Sequence, residues 1–280
     1  MNETMRYGES GMVHSPRATL RSIVCEERKT TSYKIALIRA LGDIAYRYPM
    51  VGEREHPVAV PLEEIANYWL AYYWPFVDRI RPIWQGRRSE RSYGVTNDLV
   101  FRDALSSFRA AYESAFGYVS APCEGYFVMW GYGLLNGVAR FGQELLDLQT
   151  EAIKALVRGV KMPIQFAGVG QWSVLGEPRR MGEVSEESSA LPGIKNDDLV
   201  VLIEPALWHC LQTLSDWIEA LCVQEWSLYT EGINRDQDSA ITRQQVYGIL
   251  TDRPGNRCSL SFEFNQTNVA CFESEIFGSL

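Results

Sequence analysis

The stretch Ser32-Tyr-Lys-Ile-Ala-Leu-Ile-Arg-Ala-Leu-Gly-Asp-Ile-Ala-Tyr-Arg-Tyr48, closed by Pro49, decides the fold. Apolar residues recur at Ile35, Ile38, Leu41, Ile44 and Ala45, the three-to-four spacing of one helical face. Ser32 stands where a helix is capped, and a proline disfavours helix in the residue before it. A helix over Tyr33–Tyr48 is expected. Working outward, Pro61 suits the first turn of a second helix, with Glu63 and Glu64 facing the positive end of its dipole. Leu62, Ile65, Trp69, Tyr72 and Tyr73 form its face, and Pro75 ends it. A third helix is expected over Thr96–Ala115, with Phe101, Leu105, Phe108 and Tyr112 on one side and Gly117 beyond it. Gln143–Arg158 is a fourth, the long run Pro205–Glu231 a fifth, and Ser239–Leu250 the last.

Short apolar runs at Met162–Phe166 and Leu199–Ile203 read as strands, with a further strand at Leu260–Phe264. Tyr126–Leu135, aromatic and rich in glycine, is strand or loop, and the polar stretch 176–198 is an exposed loop. The expected class is mainly α (α+β with a small β component): a helical, bundle-like domain with short strands near 162–166, 199–203 and 260–264. The expected organisation is a flexible arm at 1–31 and an N-terminal helical domain, helix-turn-helix-like at its start, at 32–118. A second helical domain with short strands is expected at 119–250, then a junction at 251–280.

Among 280 residues, 46% are apolar, with 8 Trp, 14 Tyr and 11 Phe, enough for a substantial core rather than disorder. The aromatic surplus also suits interface anchors. No apolar run approaches the length of a membrane-spanning helix, and Met1–Lys29 lacks the apolar stretch of a secretory signal. The six cysteines, Cys25, Cys123, Cys210, Cys222, Cys258 and Cys271, include no C-x-x-C pair, which fits reduced thiols and a cytoplasmic location.

Catalytic patterns are sparse. A hydrolytic metal centre needs converging His, Cys, Asp or Glu side chains. The three histidines are His14 in the arm, His56 in a loop and His209 in the long helix, where a partly buried position is expected. There is no H-E-x-x-H, no G-x-S-x-G and no phosphate-binding P-loop. Gly131-Tyr-Gly133 with Gly137 is a weak glycine pattern better suited to packing. The paired carboxylates Glu63-Glu64, Glu186-Glu187 and Asp197-Asp198 sit at helix starts or in loops, where capping or solvation accounts for them.

One cluster stands out against the net charge of −8. Arg79, Arg81, Arg87, Arg88 and Arg91 surround Trp84 and Gln85, with Glu90 the one acidic residue from Arg79 to Arg91. Guanidinium groups fork onto phosphate and an indole can stack or wedge, so these seven residues are the candidate nucleic-acid contacts. A solvated loop with internal ion pairs fits equally well.

The strings that succeed one another along residues 32–260 resemble the front of bacterial HNH-type endonucleases of restriction or defence type. The residues are Ser32–Ala45, Val60–Pro75 with its Tyr-Tyr-Trp-Pro end, Pro82-Ile-Trp-Gln85, Met162-Pro163, Val200–Trp226 and Leu250–Leu260 with Arg253-Pro-Gly-Asn-Arg257. In that family a ββα-metal module comes next, whose Asp-His pair supplies a metal ligand and the general base and whose later Asn or His completes the site for a divalent metal such as Mg²⁺. No Asp-His pair occurs in this chain, so no catalytic or metal-binding residue and no cofactor is assigned to it. The resemblance implies a truncated or non-catalytic relative that keeps a scaffold for double-stranded DNA or for a partner protein subunit. Two alternatives stay open: an interaction subunit of a defence complex, and a nuclease whose missing residues come from a partner chain. A metal-independent enzyme has its one hint in the glycine-rich segment 125–142.

Overall fold

The computed structural model describes residues 15–26, 31–52, 55–86, 88–89, 94–95, 98–118, 121–131, 138–161, 164–165, 171–172, 175–235 and 241–252. Along the chain the elements are α1 (Pro16–Arg21), α2 (Tyr33–Arg47), β1 (Val58–Pro61), α3 (Leu62–Tyr73), β2 (Arg88–Ser89), β3 (Gly94–Val95), α4 (Arg102–Phe116), α5 (Glu124–Tyr126) and α6 (Val138–Lys161). They continue with β4 (Ile164–Gln165), β5 (Gln171–Trp172), β6 (Arg179–Arg180), β7 (Ser189–Ala190), β8 (Leu199–Ile203), α7 (Pro205–Thr213), α8 (Ser215–Asn234) and α9 (Arg243–Thr251). The protein is mainly α with a small β component.

The helix read from the opening stretch is α2, and it is more central than its period implied. Ile35, Ala36, Leu37, Ile38, Arg39, Ala40, Leu41, Ile44 and Ala45 are all buried, because α3, α7 and α8 surround the helix. Ser32 stands in the N-cap place but makes no capping bond; its hydroxyl is spent on Tyr73 and Gln85.

Residues 15–26 correct the expected arm. Ser15 caps α1 by accepting the N–H of Ala18 at 3.3 Å, and a π-helical turn, Ser22–Glu26, continues the helix. Leu20, Ile23 and Val24 are buried in the common core. Their helical spacing spans too few residues to register as a period.

The sheet and the core both cross the expected boundary near residue 118. β1 lies in a stretch read as loop, yet it pairs antiparallel with β8, Val58 opposite Ile203 and Pro61 opposite Val200. β7 adds to β1 in parallel and β6 to β8 antiparallel, giving the order β6-β8-β1-β7. One hydrophobic cluster runs from Leu20 to Leu250 through both expected halves. The stretch 176–198 therefore carries both outer strands of the sheet, tied down by Ser189 N–H to Pro57 O and Met181 N–H to Asp198 O, each 2.9 Å.

The long helix after Pro205 breaks at Leu214 (φ −118°), which lies between α7 and α8. The break lets α7 aim Trp208 at the chain after α2, where its indole donates to Val51 O at 2.7 Å. Gly52, at φ +99°, lies against that ring; a β-carbon there would sit 2.5 Å from it. Four tryptophans, Trp69, Trp74, Trp208 and Trp226, are fully buried, so much of the aromatic surplus is core. Trp226 meets Tyr72, Tyr73 and Phe76 edge-on, with centroids 5.0–6.1 Å apart.

The segment around 126, read as strand or loop, is the single turn α5 followed by a π-helical turn, Phe127–Gly131. Thr96–Ala115 shortens to α4, and Ser239–Leu250 to α9, where Thr242 and Gln245 form a capping box. The run Met162–Phe166 is represented by β4, paired with β5. The strand expected at 260–264 and the 251–280 junction beyond Asp252 lie outside the described residues, as does His14. His209 is exposed rather than partly buried, on the outer side of α7. Among the described residues no helix is long and apolar enough to cross a membrane.

Candidate nucleic-acid interface

The arginine segment begins where α3 gives way to a 3₁₀ turn, Trp74–Val77. Asp78, the next residue, organises the chain through Arg81. Its Oδ1 accepts the backbone N–H groups of Ile80 and Arg81 at 2.8 and 2.9 Å, an Asx turn that the sequence Asp-Arg-Ile-Arg favours. Its Oδ2 accepts from Arg109 at 2.7 Å and from the Tyr118 hydroxyl at 2.9 Å. Burial works to raise the Asp78 pKa, but these donors, with the Arg109 charge, hold it below its ordinary value.

The turn holds Arg79, Ile80 and Arg81 on the outside. The Arg79 side chain is 69% exposed, 3.5 Å from Glu113 and 5.0 Å over the Tyr118 ring. Arg81 is exposed. The segment then turns inward. Ile83 N–H returns to Phe76 O at 3.0 Å, and Arg102 of α4 clamps Phe76 O at 3.0 Å and Ile83 O at 2.7 Å while pairing with Asp98.

Gln85 is a buried anchor, and Trp84 beside it is half-buried. The N–H and C=O of Trp84 are both bonded to Asn234 of α8, at 3.1 and 2.9 Å, and its ring lies 4.5 Å beneath the Arg102 guanidinium. That stacking partner belongs to the same chain. Gln85 is fully buried. Its Oε1 accepts from the Ser32 hydroxyl and from the Trp226 indole at 3.2 Å; Tyr229 donates to its carbonyl at 2.9 Å and its N–H reaches Asp98 at 3.0 Å. A side chain enclosed this way cannot meet a nucleic acid. Arg88 lies in β2, opposite Val95 of β3. Arg87 and Arg91 lie outside the described residues.

Sequence reasoning missed the cage beneath this turn. Arg109, 4% exposed, donates to Glu113 at 2.7 Å, to Trp74 O at 2.8 Å and to Asp78, and lies 5.3 Å from the Trp74 ring. The signal was present: Arg109 shares the helical stripe of Leu105, Phe108 and Tyr112, and an arginine there is buried and must find partners. Glu124 of α5 lies behind the cage, 2% exposed, accepting from the Trp74 indole at 2.9 Å. No sequence pattern marks it. Arg109 is shared between the Asp78 and Glu113 carboxylates, which makes the cluster an ion network within the chain. Of the paired carboxylates, Glu64 is bonded to Arg47 at 3.2 Å and burial raises its pKa, while Asp198 accepts the N–H of Lys195 at 2.7 Å.

The fold and this interface define a mainly helical α+β domain whose arginine-bearing turn is built on a buried ion network. Its residues 14–250 match the family described as Domain of unknown function (DUF8808), and the chain belongs to that family. No curated protein and no solved structure matches it.

Proposed function

We propose that this domain is a non-catalytic scaffold that holds double-stranded DNA through phosphate contacts from the arginines between residues 79 and 91. One observation supports this above the others. The segment is pinned inside at Ile83 and Gln85, so Arg79 and Arg81 project from a braced turn instead of a slack loop. Bracing lowers the entropy lost when guanidinium groups are ordered on a phosphate. The likeness of the ordered strings to the front of HNH endonucleases points the same way.

Fluorescence anisotropy with a short duplex across about 50–200 mM salt tests it, because each lost phosphate contact removes about one from the log–log salt slope. Arg81→Glu and the pair Arg87→Glu/Arg88→Glu are expected to flatten the slope and weaken binding of every sequence alike. No affinity at the lowest salt, or unchanged slopes in both variants, refutes DNA binding here. Robust nicking of a plasmid by the pure chain with Mg²⁺ refutes the non-catalytic part.

Apolar side chains share this end of the molecule and favour a protein partner as the second reading. Ile80 is 62%, Phe116 40% and Tyr118 36% exposed. A chain that is monodisperse and monomeric in light scattering, with nothing copurifying, counts against it.

A further inference from the structure

Glu124 combines three features. It is 2% exposed. One carboxyl oxygen accepts from the Trp74 indole at 2.9 Å, and the other, equally buried, has no hydrogen-bond partner among the described residues. Its own segment is slight: α5 is one turn long and passes directly into a π-helical turn. Its seat comes from burial of Tyr126, Val128 and Met129 rather than from a long run of helical bonds.

The groups facing Glu124 divide unevenly. Arg109 and Glu113 come from α4, and Asp78 from the turn after α3. Cys123 precedes it, and Asp252, just beyond α9, lies against Cys123. Arg109 favours an ionised Glu124, but it is bonded to Asp78 and Glu113, and those carboxylates oppose ionisation. The backbone leaves little slack for water: a β-carbon on Gly125 would stand 2.6 Å from Ala71 O and 2.6 Å from the β-carbon of Trp74. The turn is tied to the end of the helical core by the Cys123 N–H, which Asp252 accepts at 3.2 Å.

We propose that Glu124 is a proton-controlled latch: in its neutral form it seats the α5 turn beneath Trp74, and in its ionised form it favours release of the turn and with it the tie to Asp252. Burial, the largest effect, pushes the carboxyl from its ordinary 4.5 to about 7 in the seated turn, against the Trp74 hydrogen bond. A released, hydrated carboxyl returns to the ordinary value. The sign comes from proton uptake: the seated turn binds the extra proton between these two values, so it is strongest below about pH 4.5 and loosens as pH rises towards 7. Release grows about tenfold per pH unit across that window and levels off above it.

Two measurements test the latch. Carboxyl-carbon NMR of the intact chain, with Glu124→Gln for assignment, is expected to show one glutamate titrating near neutrality. Hydrogen exchange of the 124–131 amides, corrected for its intrinsic pH dependence, is expected to show protection falling more than tenfold between about pH 5 and 7. Glu124→Gln keeps an acceptor for Trp74 without a charge, and its corrected protection is expected to be flat. Every glutamate titrating below about pH 5.5, or the same pH dependence in Glu124→Gln as in wild type, overturns the latch. If the variant does not fold, the wild-type NMR titration and exchange profile decide alone: a neutral-range glutamate and the fall in protection support the latch, and the absence of either overturns it.

Discussion

Arg39 offers the sharpest test of how this core is held. The side chain is 1% exposed, on the central helix α2. One guanidinium nitrogen donates to the carbonyl of Leu250 at 2.6 Å and to Glu219 at 3.2 Å, and the group lies 4.4 Å from the centre of the Tyr72 ring. It therefore joins α2 to α8 and to the last turn of α9, where a cation also suits the negative end of the helix dipole. Replacing it with Met keeps most of the stem volume and removes the charge. A charged hydrogen bond contributes about 1.5–3 kcal/mol, and a desolvated cation–π contact about 1–2 kcal/mol. Glu219 keeps 17% of its side chain exposed and can partly rehydrate, so its lost pairing costs little more. The hydrogen-bond figure is already net of the desolvation that the guanidinium pays. A net loss of about 3 kcal/mol is expected for Arg39→Met, or a fall of about 6–12 °C in Tm for a chain this long. Arg39→Ala adds a cavity and should lose more. Urea unfolding followed by tryptophan fluorescence measures the difference, and Glu219→Gln completes a double-mutant cycle whose coupling should lie near 1 kcal/mol. An Arg39→Met protein within about 0.5 kcal/mol of wild type would show that packing alone joins these helices, and would refute the accounting above.

Two further substitutions probe positions where the structure departs from a surface reading. Gln85→Ala is expected to lower stability by about 2–4 kcal/mol, because Ser32 and the Trp226 indole lose their shared buried acceptor. DNA affinity per folded molecule should also fall, because the pin behind Arg79 and Arg81 is loosened, a comparison that anisotropy and unfolding curves make together. Gly125→Ala forces a β-carbon against the Ala71 carbonyl and the Trp74 side chain. It should cost about 1–3 kcal/mol and speed exchange of the 124–131 amides at every pH, unlike Glu124→Gln.

The helical class was legible because its evidence is local. The period of Ile35, Ile38, Leu41 and Ile44, the bounding prolines and the first-turn Glu63 and Glu64 each act within a turn or two of their own backbone. The compact run Leu199–Ile203 was legible as a strand for the same reason. What these signals lack is a partner. Val58–Pro61 is too short to show alternation and becomes a strand because β8 lies beside it, more than a hundred residues later in the chain. Leu214 interrupts an apolar stripe that runs unbroken in the sequence, and Trp208 on the first half reaches Val51.

The candidate site divides along the same line. Charge and composition singled out the arginine segment, and Arg79 and Arg81 do face outward. Nothing in the order of residues distinguishes them from Gln85, which is fully buried, or from Trp84, whose backbone is tied to Asn234. Direction in an irregular segment is set by which buried donors and acceptors elsewhere need satisfying, here Ser32, Trp226, Tyr229 and Asn234. By itself the sequence determined the helices, a strand and a local excess of positive charge. Only the tertiary structure decided which of those charged and polar residues are surface and which hold the core together, because burial and pairing belong to contacts between distant parts of the chain.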